Sequence, residues 1–99
     1  SKMNWSNYSS LKSDGNASFA KEKETIREAT DDNPKEEREY VVLVQKSWNA
    51  STGEANADSK REYSLSELES EKARYDREMA RAKAQSDGLK AAIADFKKV

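Results

Sequence analysis

In a chain of 99 residues, 37% are charged and 34% hydrophobic, whereas an average domain is nearly half apolar and about a quarter charged. Leu, Ile, Val and Phe together number 13, below the roughly 20% at which independent burial becomes doubtful. One small domain at most is expected, completed by a partner. The 18 Lys and Arg almost cancel the 19 Asp and Glu, leaving −1, so the chain is no polyelectrolyte and lacks the basic footprint of backbone-driven nucleic-acid binding.

Cysteine and histidine are both absent. That removes disulfides, thiolate nucleophiles, the commonest general base and the commonest ligands for transition metals. No enzyme, no cofactor and no small-molecule substrate is therefore expected. No apolar run approaches the roughly 20 residues of a membrane span, and Ser1-Lys2-Met3-Asn4-Trp5 has no apolar signal core. The expectation is a soluble chain, not exported by its own signal, with no membrane partner.

Residues 1–37 read as a polar arm of Ser, Asn, Asp, Lys and Glu with isolated large side chains. Trp5 and Tyr8 stand out as candidate anchors, against the alternative of a floppy terminus. Within the arm, Phe19, Ile26 and Ala29 are spaced for one side of a short helix over 18–30, started by Ser18 and stopped by Asp31-Asp32-Asn33-Pro34. That helix and an irregular arm are both open readings.

Residues 38–63 read as a β-hairpin. The run 38–48, REYVVLVQKSW, is rich in β-branched and aromatic residues. Period two places Tyr40, Val42, Val44 and Trp48 on one face, with Val41 and Leu43 on the other. A strand apolar on both faces needs cover on both. Residues 49–54, NASTGE, are turn chemistry with Gly53 available for positive φ, and a weaker partner strand is expected between Glu54 and Tyr63. Two strands alone are marginal in water, so the hairpin is expected to lean on a helix or another chain.

Residues 64–99 read as a long amphipathic helix. Ser64 and Glu67 form a capping box, with Tyr63 and Leu68 spaced as a hydrophobic staple. Leu65, Leu68, Lys72, Tyr75, Met79, Ala82, Ser86, Leu89, Ile93 and Phe96 then follow steps of three and four without a slip, a coiled-coil-like heptad seam. Ser86-Asp87-Gly88 groups three weak helix formers, but the unbroken phase favours one helix kinked at Gly88 over two. In an antiparallel pair of such helices the acidic first half meets the basic second half; packing of the seam on an unrelated partner or on the chain's own hairpin is the alternative.

Other motifs carry less. Asp31-Asp32-Asn33 lacks the alternating ligands, central glycine and terminal glutamate of a calcium loop. Glu36-Glu37 has no apolar pocket to shift a pKa. Four Asn-x-Ser matches, at Asn4, Asn7, Asn16 and Asn49, read as polar loops without a signal sequence. Trp5 and Tyr8 between Lys2 and Lys12 are a thin basis for stacking on single-stranded bases.

The run from Val41 to Trp48, the turn Thr52-Gly53-Glu54, then Leu65-x-x-Leu68 and a charged coiled helix resemble small hairpin-plus-helix proteins of tailed bacteriophages over residues 38–99. That resemblance implies a virion or bacterial-cytoplasm setting and transfers no site residue. Together the readings lead to an α+β chain of arm, hairpin and long helix. It is expected to act as a noncatalytic interaction or assembly protein, a small phage virion or assembly component, whose partners are other protein chains or copies of itself. The alternative is a phage-encoded inhibitor of a bacterial defence or host enzyme. The residues expected to make contacts are Trp5, Tyr8, Tyr40, Val42, Val44 and Trp48 before the helix, and Leu65, Leu68, Tyr75, Met79, Leu89, Ile93 and Phe96 on it.

Overall fold

A computed structural model describes residues 3–99. A 3-10 turn (Trp5–Asn7) leads into helix α1 (Tyr8–Ser13), strands β1 (Ala17–Arg27), β2 (Glu36–Gln45) and β3 (Ser59–Tyr63), and helix α2 (Leu65–Lys97). β2 is the central strand, antiparallel to both neighbours. The fold is α+β, and it divides after Ser64 into a sheet unit and a helical unit.

The arm reading is corrected by β1, and with it the helix over 18–30. Helical spacing of Phe19, Ile26 and Ala29 loses to a period of two written in charge. Lys21 and Lys23 fall on one face of the strand, Glu22 and Glu24 on the other. The register sets Lys23 opposite Glu39 and Glu24 opposite Arg38. Lys21 and Lys23 both lie 3.6 Å from the Glu39 carboxylate, and Arg38 Nε donates to Glu24 Oε1 at 2.8 Å. Opposite charges facing each other across strands favour the pairing that brings them together. A slip of one residue would oppose Lys23 to Arg38 in one direction and Glu24 to Glu39 in the other, so the charges specify the pairing where apolar residues run out.

The register shifts between Thr25 and Arg27, and Ile26 drops out of the ladder as an exposed side chain. Asp31-Asp32-Asn33-Pro34 lies in the connection that returns the chain, not at a helix end. Thr30 N–H donates to Asn33 O at 2.8 Å, Asn33 N–H to Thr30 Oγ1 at 3.1 Å, and Arg27 Nη2 to Pro34 O at 3.1 Å.

The expected hairpin is present as β2 and β3, with Val41 opposite Tyr63 and Leu43 opposite Arg61. β2 ends at Gln45, and Trp48 pairs separately with Ala55. Asn49 Oδ1 accepts from the N–H groups of Ser51 and Thr52 at 2.8 and 3.0 Å, and Gly53 takes φ +73° as the turn requires. At the end of α1, Asn16 N–H reaches Leu11 O at 2.8 Å and Gly15 N–H reaches Lys12 O at 3.0 Å. This is a Schellman closure with Gly15 at φ +76°.

α2 begins at Leu65, directly after Ser64, and continues through Gly88 to Lys97 as one helix of 33 residues, about 50 Å long at 1.5 Å per residue. Glu67 lies in its first turn and Lys97 in its last, each suited to the helix dipole.

Two glycine substitutions with opposite outcomes check this reading. A Cβ at Gly88 or at Gly53 meets nothing within 4 Å. Gly88→Ala is therefore expected to stabilise α2 by about 1 kcal/mol on helix propensity. Gly53→Ala should destabilise the hairpin by roughly 1–2 kcal/mol, because only the backbone conformation differs. Melts followed by circular dichroism check both signs.

Candidate protein-interaction surface

Adjacent residues of β2 point to opposite faces, and the sheet unit covers the centre of both, with Phe19 and Val41 still 38% exposed. On the face carrying Leu43, Phe19 stands opposite Leu43 and Tyr63 opposite Val41. Trp5 and Tyr8 complete a closed circuit of rings. Centroids are 5.9 Å apart for Trp5 and Tyr8, 6.0 Å for Tyr8 and Phe19, 6.4 Å for Phe19 and Tyr63, and 5.5 Å for Tyr63 and Trp5. All four pairs are tilted or edge-on, the arrangements that aromatic quadrupoles favour. Arg61 lies over the Tyr63 ring at 4.6 Å and donates to its hydroxyl at 2.8 Å. Trp5 and Tyr8, expected as anchors for another chain, are engaged by this chain's own strands.

The opposite face carries Val42 under a ladder of charge. Lys60 on β3 reaches Glu22 on β1 at 2.7 Å, and the pair crosses the sheet diagonally at the position of Val42. Tyr40 OH donates to the same carboxylate at 3.3 Å. One turn of the ladder further, Arg38 bonds both Glu24 on β1 and Glu62 on β3, and its guanidinium lies 4.5 Å from the Tyr40 ring centroid. The aliphatic stems of these long side chains cover the valine while their charges stay in water. Val42 and Leu43 are 3% and 2% exposed.

The ladder shifts its members' protonation together. The hydrogen bond from Lys60 holds the Glu22 carboxyl below its ordinary value, and the same bond holds the Lys60 ammonium above its own. Desolvation, followed by the charge of Glu22, pushes the Tyr40 phenol up. The hydrogen bonds to Glu62 and Glu24 raise Arg38.

Helix α2 presents a different surface. None of its residues is buried. Leu65 (71% exposed), Tyr75, Met79, Leu89, Ile93 and Phe96 (81%) all remain open, with Leu68 half-buried. Spaced by 3, 7, 4, 10, 4 and 3 residues, they fall on one side of the helix. Ion pairs at i,i+4 brace the helix, among them Lys72 to Asp76 and Lys83 to Asp87 at 2.8 Å each and Arg74 to Glu78 at 3.6 Å. The Asp76 hydrogen bond raises the Lys72 ammonium and holds it to one side of the stripe.

The residues expected to make contacts thus divide. Trp5, Tyr8, Tyr40, Val42 and Val44 belong to the sheet's own cover, Trp48 is half-exposed beside its bridge to Ala55, and the α2 residues form the open surface. Glu22, Arg38 and Lys60 were missed by sequence reasoning; the charge alternation at 21–24 marks Glu22, and its partners are found only once β1 is laid beside β2 and β3. Lys2, one of the two charges invoked for base stacking, lies outside the described residues. Among the described residues no group of acidic side chains is placed to hold a metal ion, and no helix is long and apolar enough to cross a membrane.

Comparison of the chain with protein-family models, with curated proteins and with solved structures finds no match.

The ladder predicts a pH dependence. Because the folded-state pKa of Glu22 is lowered, its contribution is present above the unfolded carboxyl pKa and lost as pH falls through the folded value. For Lys60, raised in the fold, the contribution is present below the unfolded ammonium pKa and lost as pH rises through the folded one. Glu22→Gln should therefore flatten the acid limb of stability and also weaken the alkaline limb. Urea midpoints measured across the pH range check both.

Proposed function

We propose that this protein is a noncatalytic interaction or assembly protein whose contact surface is the apolar stripe of α2, while the sheet unit uses most of its large side chains for its own packing. The observation that carries the reading is the contrast between the two units. Trp5, Tyr8, Phe19 and Tyr63 pack on one another, whereas Leu65, Met79, Leu89 and Phe96 stay more than three-fifths exposed along one helix. Large exposed apolar surface marks contact sites in soluble proteins. In the phage setting suggested by the resemblance, the reading is a small virion or assembly component. A second reading, an inhibitor of a bacterial defence or host enzyme, is favoured by one feature. β1 is an outer strand of 11 residues, an edge to which another chain's strand can add.

The test is a capture experiment with the full chain and two variants, Met79→Glu with Ile93→Glu on the stripe and Ala84→Glu off it. Partner capture should be lost in the first and kept in the second, with helical circular dichroism unchanged in both. Copurified capsid, tail or scaffold chains support the assembly reading, and a host nuclease or polymerase supports the second. Undiminished capture by the stripe variant would overturn both.

A further inference from the structure

Resting on that reading, we propose that α2 pairs with the α2 of a second copy in antiparallel order, with its centre between Met79 and Ala82. Taking Leu65 as position a of the heptad, the reversed alignment brings every a residue level with a d residue of the other copy, with no position left over. Met79 meets Ala82, Tyr75 meets Ser86, and Leu65 meets Phe96 at each end, so that large side chains face small ones near the centre.

Charge chooses the direction. Residues 65–80 carry five acidic and three basic side chains, and residues 81–97 carry four basic and two acidic. The asymmetry is sharper at the e positions bordering the seam, which read Glu69, Asp76, Lys83, Lys90, Lys97 in chain order. Antiparallel helices place e beside e, so the two acids of one copy flank the lysines of the other. Parallel helices place e beside g, which opposes Glu71 to Asp76, and stack Lys72 against its own copy. In the reversed order Lys72 is level with Leu89 instead. Its ammonium is already held aside by Asp76 at 2.8 Å, leaving the stem to lie on the leucine.

The size is adequate. A strip about 50 Å long and roughly 10 Å wide on each of two copies covers on the order of 1,000 Å² in total, the lower bound for a specific interface. Association in the micromolar range is the corresponding expectation.

The chain has no cysteine, so single substitutions report unambiguously. Leu65→Cys should form a disulfide efficiently when mixed with Phe96→Cys, and neither should link to itself, because closure needs Cα atoms within about 7 Å. Lys90→Glu should weaken self-association severalfold in sedimentation, and mixing it with Glu69→Lys/Asp76→Lys should restore pairing. In a parallel pair Lys90 lies beside the neutral Gln85, and Lys90→Glu would change little. Efficient self-linking of Leu65→Cys, or a wild-type chain that sediments as a monomer at high micromolar concentration, would overturn the proposal. A monomer whose stripe variant still loses a captured partner overturns self-pairing alone; a stripe variant that loses nothing overturns the interaction reading as well.

Discussion

Val42 and Leu43 are neighbours on the central strand, and their side chains leave it in opposite directions. Burying both requires cover on two faces at once, which a two-stranded hairpin does not provide. The chain supplies it from residues before β2. β1 widens the sheet, α1 and the preceding turn bring Trp5 and Tyr8 to one face, and Glu22 and Glu24 reach across the other to Lys60 and Arg38. With so few aliphatic residues, rings and charged stems do the covering that leucines do elsewhere. The buried set is correspondingly small: among the described residues only Ala17, Val42, Leu43 and Tyr63 are buried hydrophobics.

How much of this was legible in the sequence depends on which property carried the pattern. β2 announced itself through Val41 to Val44, the turn through Asn49 and Gly53, and the start of α2 through Ser64 and Glu67, since each is a local signal with a local cause. β1 was hidden because its period is in charge and not in hydropathy. Lys21 to Glu24 alternate as regularly as any apolar strand, but their partners Arg38 and Glu39 lie 14 or more positions away, and the pattern becomes informative only once the two segments are laid side by side. Phe19 and Ile26 pointed to a helix for the same reason. Their spacing fits one, and nothing local reveals that Phe19 belongs to a ring circuit closed by Trp5 and Tyr63.

The candidate surface was legible in a different way. The spacing from Leu65 to Phe96 pointed to one helix with an apolar side, and that helix runs through Gly88 to Lys97. What the spacing does not reveal is which large side chains the chain uses for itself. Trp5, Tyr8 and Tyr40 looked as available as Tyr75 and Phe96. Packing decides between them: Tyr40 sits opposite Glu22, and Tyr8 lies 6.0 Å from the ring of Phe19, while Tyr75 and Phe96 are 49% and 81% exposed.

A helix this polar is held by its own backbone and by short-range pairs, and those pairs shape the exposed stripe. Solvent screens exposed i,i+4 ion pairs, so Lys72 to Asp76 and Lys83 to Asp87 matter less as stability than as placement. Each fixes a lysine toward the next turn. For Lys72, which interrupts the stripe midway between Leu68 and Tyr75, that placement moves a charge off the apolar line and leaves methylene groups behind. In the antiparallel pairing proposed above, that interruption lies level with Leu89 and not with its own copy, so there the salt bridge would bear more on the choice of partner than on how well the helix folds.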